Sequence, residues 1–253
     1  MLYLLLRNAD IVILAAVSGS ALAWIIHDRS SATQPRSDDV LAGLVFQLVG
    51  TLYAVLVAFV IYIVWGHYDS SSRVAQLEAA ALTDVARIAL GLPEPARSGI
   101  RERVEHYTRR VIDEEWPSMR EWKEAPDALQ AYRQLWDYAL AVKVTGSQEL
   151  VAYEYCLTHL SKVRDLRMER VAQLSLSVSW YTWTVLILLG SSLVVLASFL
   201  ACASRRSRVW QVGLLAVTLA LLLTLIADLD HPWSGLVRIT PEPYEAGLRY
   251  WKG

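Results

Sequence analysis

The chain contains no proline between positions 35 and 93, and two very different stretches lie inside that interval. The first, 43–65, has no charged residue and is long enough, at about 1.5 Å per residue, to cross a hydrocarbon core about 30 Å thick. The second, about 66–92, mixes apolar and charged residues at helical spacing. Because no helix breaker separates them, the sequence predicts one helix over about 44–90 that leaves the membrane and continues into water.

Three further runs are almost free of charge: 11–26, 180–203 and 209–227. With 43–65 they predict an all-α membrane protein with four transmembrane helices, the first of them an uncleaved N-terminal helix. The predicted domains are transmembrane helices 1 and 2 (1–65), a helical soluble module (66–179), transmembrane helices 3 and 4 (180–230) and a C-terminal tail (231–253).

The module is predicted to be helical because no segment shows sustained strand alternation. One helix is expected over about 98–115, followed by a turn around Pro117, and another over about 126–144. Ser147 is the expected N-cap of the next helix. Since no proline or glycine follows before Gly190, that helix is predicted to run without a break from 147 to 203, through the third span.

The acidic residues of the module are assigned to its water-facing surface. Glu78 is placed on a helix face away from the apolar stripe, and Asp113, Glu114 and Glu115 are interpreted as a solvated helix end. A cation or a partner is the alternative ligand for that acidic group.

Charge near the span ends indicates the orientation. Eight Lys and Arg residues lie near span ends on the module side and five on the other, which favours a cytoplasmic module with both termini on the same side. The short basic loop around 204–208, taken alone, favours the opposite orientation.

Several function classes lack a sequence signal. The formal net charge of −1 gives no case for nucleic-acid binding, and the two cysteines form neither a disulfide framework nor a metal motif. The sequence has no glycine-rich phosphate loop, paired metal histidines or nucleophile elbow, so we expect no enzymatic activity and no cofactor. The expected partners are membrane lipid, other copies of the chain and small ions.

Four short motifs carry a family resemblance. They are W-x-x-Y…R…E at Trp65, Tyr68, Arg73 and Glu78, then DVARIALGLP, VIDEEWP at 111–117 and DLDHPWSG at 228–235. In this order they resemble the bestrophin-like family of bacterial four-span membrane proteins, which is distantly related to the bestrophins.

The resemblance implies a homopentameric anion channel in the bacterial inner membrane. Its second span would line the pore and continue into a cytosolic vestibule. Tyr62 falls near the phenylalanine of the bestrophin pore neck, but Ile63 replaces the arginine that follows it. The acidic run that binds calcium in bestrophins is not evident, so the resemblance implies no calcium gating.

One face of the second span supplies the candidate pore lining, in which each residue would form a ring around a symmetry axis. Its members are Thr51, Ala54, Val55, Ala58, Tyr62 and Trp65. The apolar members could gate by dewetting, and the hydroxyls of Thr51 and Tyr62 could replace part of an ion's hydration. The alternative is ordinary helix packing, to which the Ala54/Ala58 spacing is equally suited.

Five basic residues form a candidate vestibule or juxtamembrane set: Arg73, Lys162, Arg164, Arg167 and Arg170. They could draw anions toward a pore, but binding to anionic lipid headgroups is the more common role of such residues.

The last candidate site is a polar cluster at the end of the fourth span, made of Asp228, Asp230 and His231. A cation site is one interpretation, and a salt bridge to Arg73 or Arg170 is another. Three potential ligands with one imidazole do not specify a metal, so a structural role is favoured.

Two functions remain open. The first is an oligomeric, anion-conducting channel. The second is a non-conducting membrane sensor or scaffold whose helical module binds a partner or ligand. A secondary transporter is disfavoured because the chain has few spans and no inverted repeat or broken helices.

Overall fold

The computed structural model describes residues 37–200 and 205–252. The predicted first span, 11–26, lies outside these residues, as does Cys202. The described residues contain helices and connecting segments and no β-strand. Their α-helices are α1 (Ser37–Ile88), α2 (Ala96–Arg110), α3 (Trp116–Arg120), α4 (Pro126–Ala141), α5 (Ser147–Ala172), α6 (Trp180–Phe199), α7 (Arg205–Leu229) and α8 (Glu242–Lys252).

The predicted long helix is confirmed. α1 has 52 residues and extends by a 3₁₀ turn at Ala89–Gly91, just before Pro93. At about 1.5 Å per residue it is roughly 78 Å long, more than twice the thickness of a hydrocarbon core.

The residues fall into two compact units, each with its own core. The first takes its described residues from 37–66 and 177–230, and the second takes its own from 67–176 and 231–252. α1 therefore contributes to both units, while α6 and α7 belong to the first.

The second unit has a continuous apolar core built from α1, α2, α4, α5 and the C-terminal segment. The sequence analysis assigned 231–253 to a separate tail, but Trp233, Ile239 and Tyr244 are buried in this core. The Trp116 indole N–H donates a hydrogen bond to the Ile239 carbonyl at 3.2 Å. The Trp116 ring also meets Trp233 and Tyr244 edge-on, with centroids 5.3 and 5.4 Å apart. These contacts hold the C-terminal segment in the unit.

The predicted unbroken helix over 147–203 is wrong. α5 ends at Ala172, a 3₁₀ turn covers Gln173–Ser175, and residues 176–179 are extended before α6 begins. Serine side chains supply the competing hydrogen bonds, because the Ser175 hydroxyl donates to the Ala172 carbonyl at 2.7 Å and Ser179 caps α6 by accepting from the Thr182 N–H.

Two smaller expectations also fail. The chain does not turn at Pro117, which lies in the first turn of α3, where a missing N–H is tolerated. A π turn at Val111–Glu115 comes immediately before it, and the chain turns only after α3, where Trp122 has a φ of 63°. Ser147 is not the N-cap of α5, because Gly146 precedes the helix and its N–H donates to the Glu149 carboxylate at 3.3 Å.

Candidate functional site

One face of α1 packs within the first unit. It is formed by four buried residues at helical spacing: Tyr53, Val57, Val60 and Val64. Gly190 of α6 allows a close approach here, since a Cβ at that position would lie 3.1 Å from the Tyr53 hydroxyl oxygen. This face fixes the rotation of α1 about its own axis.

The opposite side of α1 carries all six residues of the predicted pore lining. Thr51, Ala54, Val55, Ala58, Tyr62 and Trp65 are exposed in the single chain. Tyr62 keeps 77% and Trp65 57% of its surface accessible. The structure therefore brings these residues together on a surface that their own chain leaves uncovered, open to lipid, water or another copy.

The exposed side of α1 divides into two sectors of different chemistry. At about 100° per residue, the predicted lining lies roughly opposite the buried face. We call this surface the pore-facing sector; besides the predicted residues it includes Gln47. The adjacent apolar sector consists of large side chains only: Leu41, Leu48, Leu52, Phe59 and Ile63. Large apolar side chains suit lipid, whereas small and polar side chains on membrane helices favour contact with protein or water.

Thr51 illustrates how the pore-facing sector presents its polar groups. Its hydroxyl donates a hydrogen bond to the Gln47 carbonyl at 2.8 Å, one turn earlier in α1. The proton of that hydroxyl is thus engaged within the helix, and the oxygen remains as an acceptor.

A different polar site lies in the core of the second unit. Arg170 of α5 donates from Nε to Glu78 Oε2 at 2.7 Å and from Nη2 to Glu78 Oε1 at 3.2 Å. Its Nη2 also donates to Glu115 Oε2 at 2.7 Å, while Arg167 Nη2 donates to Glu115 Oε1 at 2.5 Å. The Tyr107 hydroxyl adds a hydrogen bond to Glu78 at 2.8 Å. We call the two glutamates, two arginines and this tyrosine the buried ion network.

The network is charge-balanced and almost fully shielded from water. The side chains of Glu78, Glu115 and Arg170 are 0% exposed and that of Arg167 is 7% exposed. Burial alone would raise the pKa of Glu115, but the nearby Arg170 and Arg167 guanidinium groups lower it overall. Burial is the larger cause of the raised pKa of Tyr107, followed by the charge of Glu78.

Further groups of the core surround the Arg170 guanidinium. Its Nη1 donates to the Met119 sulfur at 2.9 Å, and its Cζ lies 5.6 Å from the Trp116 ring and 6.0 Å from the Tyr244 ring. A cation over an aromatic face is stabilised by the ring quadrupole. The network thus links α1, the π turn, α5 and the C-terminal segment of the second unit.

The network corrects four sequence-based assignments. Arg167 and Arg170 are buried in ion pairs, so their surfaces are not available to passing anions or to lipid headgroups. Glu78 and Glu115 were assigned to the water-facing surface and are fully buried instead. The missed signal is the register of Glu78, which is four residues after Val74 and lies on the same face of α1.

The other basic candidates lie at the surface. Arg73 and Lys162 are exposed, and Arg164 donates to the Asp165 carboxylate from Nε at 2.9 Å and from Nη2 at 2.8 Å. Because Asp165 offsets the charge of Arg164, Arg73 and Lys162 remain as the candidates for drawing anions.

The predicted polar cluster does not form a metal group. The Asp230 carboxylate accepts the Val178 N–H at 2.8 Å, and the His231 ring packs edge-on against Trp122 with centroids 4.8 Å apart. Asp228 is half-buried. Within 37–200 and 205–252, no three or more His, Cys, Asp or Glu residues are placed to hold a metal ion. Arg170 pairs with Glu78 and Glu115 rather than with this cluster.

The lowered pKa of Glu115 predicts a pH-dependent stability. Its contribution is complete above the ordinary carboxyl pKa of 4.5 and is lost as the pH falls through the lower folded-state value. We therefore expect the difference in melting temperature between wild type and Glu115→Gln to be largest near pH 7 and to shrink below about pH 4.5. Thermal unfolding of detergent-solubilised protein across a pH series measures it.

The control for this series is Glu121→Gln, which alters an exposed carboxylate paired with Lys123 at 3.1 Å. It should melt like wild type at every pH. A constant difference between wild type and Glu115→Gln down to pH 3 would contradict the assigned ion pairs.

The helices of the first unit define the class of protein. α1, α6 and α7 are each long and apolar enough to cross a membrane, so the chain is an all-helical membrane protein. A sequence model of the Bestrophin-like domain matches residues 13–244, and the chain therefore belongs to the bestrophin-like family. Proteins of this family are generally oligomeric and membrane-associated. No curated protein and no solved structure gave a match. The family resemblance of the four sequence motifs is thus confirmed.

Proposed function

We propose that the protein is an oligomeric, anion-conducting channel, with a pore lined by α1 and formed by a homopentamer. Membership of the bestrophin-like family supports a channel-like function. The observation that carries the proposal is the pore-facing sector, an uncovered surface of small and polar side chains at membrane depth beside a separate, lipid-suited apolar sector.

Conduction in this proposal is passive and needs no catalytic group. Identical copies of α1 around one axis would turn each position of the sector into a ring of side chains. The rings at Ala54, Val55 and Ala58 would form an apolar stretch able to dewet. At the end nearer the second unit, Tyr62 offers a hydroxyl, and Arg73 follows on α1 about two turns after Trp65. A cytoplasmic second unit, as the charge count favours, would place this end of the pore inside the cell.

The test combines stoichiometry with conductance. We expect purified protein in mild detergent to have the mass of a pentamer by light scattering, and to carry chloride current in planar bilayers. A monomer or dimer would contradict the proposal, because so few copies of a single helix cannot enclose a central pore. A pentamer that conducts no ion at any pH would instead support the sensor or scaffold function.

A further inference from the structure

The sequence-based pore lining omitted one residue of the pore-facing sector, Gln47. It lies eight residues after Asp39 and eighteen before Trp65, so the helix rise places it about 12 Å from one and about 27 Å from the other. No Asp, Glu, Lys or Arg occurs between positions 40 and 66, and Gln47 is the one amide in that stretch. It is therefore a strongly polar side chain at membrane depth.

The Gln47 side chain is exposed, and no hydrogen bond joins it to another of the residues at 37–200 and 205–252. An amide has two N–H donors and an acceptor oxygen, and lipid tails can satisfy none of them. Polar side chains inside a membrane accordingly face protein or a water-filled cavity and mark pathways for ions.

The position of Gln47 around α1 agrees with such a pathway. It lies in the pore-facing sector with Thr51, Ala54 and Ala58, away from the buried face and from the apolar sector. Because the Thr51 hydroxyl proton is bound to the Gln47 carbonyl, Thr51 cannot offer it to an anion. Ala54 and Ala58 have no polar side-chain atoms. Along this stretch the Gln47 amide supplies the hydrogen-bond donors.

We propose that Gln47 is a specificity-determining residue of the pore, where a ring of its side-chain N–H groups donates hydrogen bonds to a small monovalent anion. This inference rests on the proposed channel function. The donors replace part of the water that the anion loses on entering the apolar stretch. Because the amide is neutral, the anion is held weakly enough to move on.

Gln47→Glu tests this role with little change of shape. It replaces the two N–H donors by a second carboxylate oxygen and adds one negative charge per copy. Reversal potentials of the purified channel in sodium chloride gradients give the ratio of anion to cation permeability. We expect Gln47→Glu to lower that ratio at least about tenfold, since charge acts strongly at low dielectric. Gln47→Leu, which removes the donors alone, should lower chloride conductance.

The matched control moves the amide to the neighbouring apolar sector while keeping the composition. The double variant Gln47→Leu with Leu52→Gln should behave like Gln47→Leu, because the amide at 52 would lie outside the pore-facing sector. Recovery of the wild-type conductance by the double variant would overturn the assignment of Gln47.

The remaining outcomes separate this inference from the proposed function. No current from the wild type would overturn the channel itself. A conducting wild type whose permeability ratio is unchanged in Gln47→Glu would overturn the role of Gln47 alone. If Gln47→Glu does not assemble, Gln47→Leu carries the test. Loss of oligomer with unchanged conductance per channel in that variant would show a hydrogen bond between copies rather than anion binding.

Discussion

Replacing Arg170 with methionine is expected to lower the free energy of unfolding by about 3–5 kcal/mol. The guanidinium is fully buried and pairs with both Glu78 and Glu115, so its removal leaves two buried carboxylates with Arg167 as the remaining cation of the network. For a protein of this size the loss corresponds to a fall in melting temperature on the order of 10 °C. Thermal unfolding of the detergent-solubilised protein measures it.

A second variant separates the cost of unpaired charge from the cost of repacking. Combining Arg170→Met with Glu78→Leu removes a cation and an anion together and leaves the Glu115–Arg167 pair in place. Replacing both partners by apolar groups costs much less than breaking the pair, so the double variant should melt above Arg170→Met. The lone substitution should therefore be the less stable of the two.

Arg164→Met is the matched control, because this arginine lies on the same helix but is exposed and pairs with Asp165 at the surface. It should leave the melting temperature unchanged, as expected for exposed ion pairs. Wild-type melting of Arg170→Met would show that the buried ion network does not stabilise the fold.

Ala58→Phe is expected to reduce chloride flux by at least about tenfold. Ala58 is exposed within the single chain, so a larger side chain can be accommodated without disturbing the core of its own unit. In the proposed pore each copy would add a phenyl ring at the same height, and the five rings would close the apolar stretch. Chloride efflux from proteoliposomes, at equal amounts of assembled protein, measures the effect.

The control introduces the same side chain on the apolar sector. Leu52→Phe enlarges an exposed residue that the proposal turns toward lipid, so flux should stay at the wild-type level. Unreduced flux in Ala58→Phe, or equal block by Leu52→Phe, would contradict the assignment of the pore-facing sector.

The membrane helices could be predicted from sequence because their signals are local. The uncharged stretch 43–65 and the absence of proline up to Pro93 were sufficient for α1, and the family motifs were readable in the same way. The failed prediction for 147–203 has a local cause too. Serines at 175 and 179 end one helix and cap the next, but they gave no proline or glycine to mark the break.

The polar sites were predicted less well, since their environment depends on distant parts of the chain. Arg170 resembles a juxtamembrane cation by position, but its partners Glu78 and Glu115 are 92 and 55 residues away in sequence. The face of α1 that holds the predicted pore lining followed from helical spacing. Gln47, however, was not separated from its apolar neighbours until the buried face at Tyr53 fixed the rotation of the helix.

The sequence by itself determined that this chain is a helical membrane protein of the bestrophin-like family with one exceptionally long helix. Hydrophobic length, helical period and missing breakers are properties of neighbouring residues, which act without reference to the rest of the chain. Only the tertiary structure decided which charges are buried and paired and where the C-terminal segment packs. Burial is set by residues that become neighbours through folding, and a charge is stable in a core only where such neighbours neutralise it.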